Sequence, residues 1–125
     1  MLDLDEAIRL GKDDLPSAIA AIQRLHTKAR RRKDVQKAHA CLTALRLFTR
    51  VIGDIDAEER VARRLVRERA LAFDVYWLGG ILERRGDIAK AVFLYKRALE
   101  ACVANGSKDD EAQVRYALAK HGLTS

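Results

Sequence analysis

One stretch constrains this chain more than any other: residues 72–105, AFDVYWLGGILERRGDIAKAVFLYKRALEACVAN. Val75, Leu78, Ile81 and Leu82 recur at the spacing of one helical face. After them Ile88, Ala91, Val92, Tyr95, Ala98, Leu99 and Cys102 do the same. Between the runs lies Arg85-Gly86-Asp87. A glycine there can take the left-handed conformation that ends a helix, and an aspartate can accept the first orphan N–H of the next one. The stretch reads as two amphipathic helices folded back on each other through a tight turn.

The rest of the chain agrees with a helical fold. It has one proline and seven glycines in 125 residues, and no sustained period-two alternation. That pattern predicts an all-α protein. A chain of this length buries roughly two thirds of its unfolded surface, enough for a core without disulfides. Cys41 and Cys102 both fall on apolar helical faces, where reduced cysteines serve as small hydrophobes. The opening MLDLDEAIRL carries acids early and no long apolar run. The expectation is a cytoplasmic protein with no signal peptide and no membrane partner.

Within 72–105, Leu78-Gly79 stands twelve residues before Ala91; Ala91-x3-Tyr95 and Ala98-Leu99 follow. These residues resemble the tetratricopeptide repeat (TPR) family, whose 34-residue helix–turn–helix carries W-x2-L-G-x2-Y, then A-x3-F, then P. Here Val75 replaces the aromatic, Leu82 the tyrosine and Val103 the proline. The resemblance implies that Gly79 and Ala91 are small so that two helices can approach closely. It also implies antiparallel helix–turn–helix repeats stacked as an α-solenoid of about seven helices. A single domain over 1–125 would comprise a shortened repeat at 3–33, a degenerate repeat at 38–71, the best repeat at 72–105 and a capping helix at 109–121. The 38–71 assignment rests on a shift of 34 that sets Ala38 on Ala72, Cys41 on Val75, Phe48 on Leu82, Val61 on Tyr95 and Leu65 on Leu99. One alternative stays open. No glycine or proline lies between Gly53 and Gly79, so a single helix from 55 to 85 competes with two.

Nothing in the chain points to catalysis. His26, His39 and His121 show no metal-ligand spacing with one another, with cysteine or with acids, and no phosphate loop, dinucleotide fingerprint or nucleophile elbow occurs. No cofactor or metal is expected. In TPR proteins the first helix of each repeat lines a concave groove. Carried over to this sequence, the resemblance offers His39, Leu42, Thr43, Arg46 and Arg50 from the second repeat. From the third it offers Phe73, Tyr76, Trp77, Gly80 and Arg84. Three aromatics flanked by Arg46, Arg50 and Arg84 suit an acidic peptide or protein partner, unless Phe73 and Trp77 pack into the protein's own core. The lysine and asparagine groove positions of the carboxylate-clamp TPR type are absent.

Formal charge is +6 and the isoelectric point about 9.6. Arg30-Arg31-Arg32-Lys33 and the stripe Arg60, Arg63, Arg64 and Arg67 could meet phosphate, which makes nucleic-acid binding the second reading. Against it, Glu58, Glu59 and Glu68 can pair with the stripe, and no aromatics interleave. A third reading is a homodimer, with the aromatic face of 72–85 as its seam.

Overall fold

The structure, a computed structural model, describes residues 2–122; residues 1 and 123–125 of the expected domain lie outside the described residues. Among the described residues there are seven helices and no strand. They are α1 (Leu4–Leu10), α2 (Leu15–Arg31), α3 (Val35–Ile52), α4 (Ile55–Glu68), α5 (Ala72–Arg84), α6 (Ile88–Asn105) and α7 (Lys108–Ala119). The all-α expectation and its helix count are met. Within that range no helix is long and apolar enough to cross a membrane.

The helices start and stop where local chemistry dictates. Asp14, Asp34, Asp54 and Asp87 each accept the backbone N–H three residues on, at 3.0–3.2 Å, the N-cap bond that satisfies an orphan donor. Three of these aspartates sit in one recurring turn. The residue before each is left-handed (Lys33 φ 56°, Gly53 φ 85°, Gly86 φ 87°). Each aspartate N–H donates to the carbonyl five residues back, on Ala29, Thr49 or Leu82, at 2.9 Å. This is a Schellman closure and an N-cap fused into one turn.

The α4–α5 junction is built otherwise. Ala70 takes φ 52°. The fully buried Asp74 carboxylate reaches back from the first turn of α5. It accepts the Leu71 N–H at 3.0 Å and two guanidinium N–H groups of Arg69 at 2.9 and 2.6 Å. A charge-assisted fork of this kind fixes the chain direction. Residues 55–85 are therefore two helices, and the single-helix alternative is excluded.

Packing divides the chain into two compact units, 1–65 and 66–125. In the first, α1 and α3 pack on α2. Its core holds Ile22, Leu25, Cys41, Leu42, Leu45 and Leu65, with Leu4, Ile19, Phe48 and Val61 packed against it. In the second, α5 pairs with α6, and α7 packs on α6 and touches α5. Val75, Leu78, Leu82, Ala91, Tyr95, Ala98 and Cys102 are all buried there. A Cβ added at Gly79 would stand 2.7 Å from the Tyr95 ring and 3.4 Å from the Ala91 carbonyl oxygen. The close approach expected of Gly79 and Ala91 is present.

The units share a plan. Helices α3 and α6 have 18 residues each and start 53 apart, at Val35 and Ile88. Helices α2 and α5 end 53 apart, at Arg31 and Arg84; α4 and α7 start 53 apart, at Ile55 and Lys108. At that offset Leu25 meets Leu78, Arg31-Arg32 meets Arg84-Arg85, Asp34 meets Asp87, Lys37-Ala38 meets Lys90-Ala91, Gly53 meets Gly106 and Leu65 meets Leu118. The nearest counterpart of 72–105 is thus 19–52, the α2–α3 hairpin. The 34-residue register would instead set the 18-residue α3 against the 13-residue α5, and their ends do not coincide.

Candidate functional site

The aromatic flank of α5 follows from helical spacing. Residues 73, 76, 77, 80 and 84 share one side, while Val75, Leu78 and Leu82 point into the core. Phe73 is 38% exposed, and Tyr76 and Trp77 are half-buried. The Phe73 ring lies 5.7 Å from Trp77, edge to face, and 6.1 Å from Tyr76. Tyr76 in turn lies 5.5 Å from Tyr95, which is buried. Below, Phe73 and Tyr76 join Cys102, Asp110, Gln113 and Val114 in a tight seam with α6 and α7. The three rings form an aromatic ledge along α5, joined to the core through Tyr76 and Tyr95 and partly exposed at Phe73. Arg84 is exposed in the last turn of the same helix.

Just behind the ledge, Glu83 ties three elements together. Its carboxylate accepts the Tyr95 hydroxyl at 2.8 Å, meets His121 Nε2 at 3.2 Å and lies 3.6 Å from Lys120 Nζ. Burial pushes the Glu83 carboxyl up. The hydrogen bonds from Tyr95 and His121, with the Lys120 charge, outweigh it and hold the group below the usual carboxylate range. Burial, then the Glu83 carboxylate, pushes the Tyr95 hydroxyl up. A carboxyl whose folded value is depressed stabilises the fold above its unfolded value near pH ~4.3 and loses that contribution as pH falls. Urea unfolding at neutral pH and near pH 3 should therefore show an acid loss that Glu83→Gln reduces. At neutral pH that variant should cost about 1–2 kcal/mol.

The residues expected from α3 differ in exposure. Leu42 and Arg46 are buried, 3% and 2% exposed. The buried stripe of α3 runs Ala38, Cys41, Leu42, Leu45, Arg46 and Thr49. The apolar Leu47, Val51 and Ile52 are left exposed. Arg46 is an interior residue and is withdrawn from the partner-facing set. Thr43 bonds the His39 carbonyl at 2.9 Å, His39 is half-buried, and Arg50 is exposed.

The basic segments divide as well. On α4, Arg60, Arg63 and Arg67 are exposed and Arg64 is half-buried. Arg63 pairs with Glu59 at 2.9 Å, and four acids offset the four arginines of this helix. The run Arg30, Arg31, Arg32 and Lys33 is exposed at the C-terminal end of α2. Cys41 and Cys102 are free and buried, and burial pushes both thiols up, away from the reactive thiolate.

No family model, curated protein or solved structure matches this chain. The surface must be read from its own chemistry.

One set of candidate residues escaped the sequence reading. At the 53-residue offset, Ala20, Gln23, Arg24, Thr27 and Arg31 of α2 are the counterparts of Phe73, Tyr76, Trp77, Gly80 and Arg84. With Lys28 they line an open hollow of about 620 Å³. The stripe has no aromatic to draw attention. The signal that finds it is R-R-x-D-x2-K-A, which occurs at 31–38 and again at 84–91.

Proposed function

We propose that this chain is a TPR-like helical interaction module, acting in the cytoplasm, that binds a protein or peptide partner through the α5 flank and catalyses no reaction. The aromatic ledge of Phe73, Tyr76 and Trp77 carries the reading. Phe73, partly exposed and in ring contact with both Tyr76 and Trp77, makes the kind of aromatic cluster a binding hot spot uses. Arg84 at the end of the flank favours a partner with acidic character. The Gly79–Tyr95 contact supports the TPR-like part. The buried, protonated thiols fit a reducing compartment.

Trp77 is the sole tryptophan, so its emission reports on the site directly. Peptides selected from a random displayed library against the full chain should shift that emission. Their affinity should fall about 30-fold, on the order of 2 kcal/mol, in Trp77→Ala. Trp77→Phe should keep the fold and most of the affinity. Selected peptides that bind Trp77→Ala and Arg84→Ala as tightly as the native chain would sink the reading. A particle mass that doubles with concentration in the native chain, and not in Trp77→Ala, would reassign the ledge to a homodimer seam.

A further inference from the structure

We propose that the α2 stripe of Gln23, Arg24, Thr27, Lys28 and Arg31 is a second docking surface, built for an extended acidic segment of a protein held by its carboxylates. The proposal rests on the α5 flank being a partner face, because the α2 stripe is its residue-for-residue counterpart 53 positions earlier. Where α5 carries rings, α2 carries charge and hydrogen-bonding groups. The same place in the hairpin is thus fitted for a different chemistry.

Charge complementarity identifies the occupant. Residues 15–53 hold nine lysines and arginines and one acid, Asp34, whose carboxylate is engaged in capping α3. Outside that hairpin acids outnumber bases, seventeen to fifteen. The whole positive excess of the protein therefore lies on α2, α3 and the turn between them. Helix α4, with its balanced charges, offers no such field. Arg24 and Arg31 are exposed and Lys28 half-buried along the hollow. A field of one sign along a cleft concentrates and steers a ligand of the other.

Geometry and chemistry select a peptide. The stripe from Arg24 to Arg31 covers about 10 Å of helix. Same-side residues of an extended chain repeat every ~6.7 Å, so acids at alternate positions meet the cations in turn. The hollow of about 620 Å³ is of the size that takes one short chain segment. The stripe offers no ring on which an unpaired base could stack, the feature single-stranded nucleic acid exploits.

The test titrates the full chain against a labelled peptide of alternating glutamate and serine, with the glutamine–serine peptide as blank. The glutamate peptide should bind at low salt and the blank should not. Affinity should fall at least about tenfold in R24E/K28E/R31E, and also as NaCl rises from about 50 to 200 mM. It should stay within about twofold in W77A, which separates this surface from the α5 flank. Should the charge reversal disturb the helical circular dichroism, R24Q/K28Q/R31Q takes its place with the same expected loss. Four results overturn the proposal: no binding of the glutamate peptide; equal binding by the stripe variants; a loss in W77A as large as theirs; or tighter, stripe-dependent binding of a mixed-sequence DNA duplex or oligonucleotide.

Discussion

Replacing Asp74 with alanine will destabilise the protein by about 3 kcal/mol, more than any other single change argued for this chain. The carboxylate is wholly buried. It satisfies both N–H groups of the Arg69 fork and the Leu71 N–H, all within 3.0 Å. Alanine removes these charge-assisted hydrogen bonds, two of them from a guanidinium, and leaves the Leu71 N–H at the start of α5 without that acceptor. The Arg69 side chain is 24% exposed and can turn partly to water. That places the cost at the low end of the range for breaking a buried pair. Asp74→Asn keeps an acceptor for Leu71 while losing the charge, and should cost about half as much. Urea unfolding of the three proteins tests the order. A native-like midpoint for Asp74→Ala would mean the α4–α5 break is held by something else. The same variant also removes what holds Ala70 left-handed, a conformation unfavourable for any residue with a Cβ.

That junction marks where sequence legibility ended. The turns at 53–54 and 86–87 could be read directly, because a glycine before an aspartate is a stop signal joined to a start signal. At 69–71 no residue type announces a break. An arginine, an alanine and a leucine all favour continuing the helix or are neutral to it. The turn exists because a carboxylate five residues past Arg69 folds back to grip it. The burial of two polar residues on α3 was equally hidden. Leu47, Val51 and Ile52 make one flank look apolar, yet the buried flank includes Arg46 and Thr49. Thr49 can go inside because its hydroxyl bonds the Leu45 carbonyl at 2.7 Å. Sequence spacing cannot say which of two serviceable faces the neighbouring helices will cover. On the candidate site the outcome splits along the same line. Three rings at helical spacing on α5 could be recognised by type. The polar stripe on α2 could be recognised only by its correspondence with them, at an offset that the 34-residue family period passes over.

Gly79→Ala tests the helix approach on which the α5–α6 hairpin depends, and the expected cost is about 2 kcal/mol. Two effects oppose each other. Alanine is the better helix former by about 1 kcal/mol. Against that, its Cβ would stand 2.7 Å from Tyr95 Cε1 and 2.9 Å from Cδ1, distances that no settled packing tolerates. The ring cannot swing aside cheaply. Its hydroxyl is tied to Glu83 at 2.8 Å, its face meets Tyr76, and the residue is 3% exposed. The helices must part, and overpacking of this kind costs up to about 3 kcal/mol, so the clash wins. A second substitution isolates the cause. In a Tyr95→Val background the obstruction is gone, and Gly79→Ala should be neutral or stabilising by up to about 1 kcal/mol. The cycle should then give a coupling energy near ~3 kcal/mol between positions 79 and 95. Equal effects of Gly79→Ala in both backgrounds would show that the two helices do not meet at this glycine, and the ledge on the outer side of α5 would lose the support that sets its position.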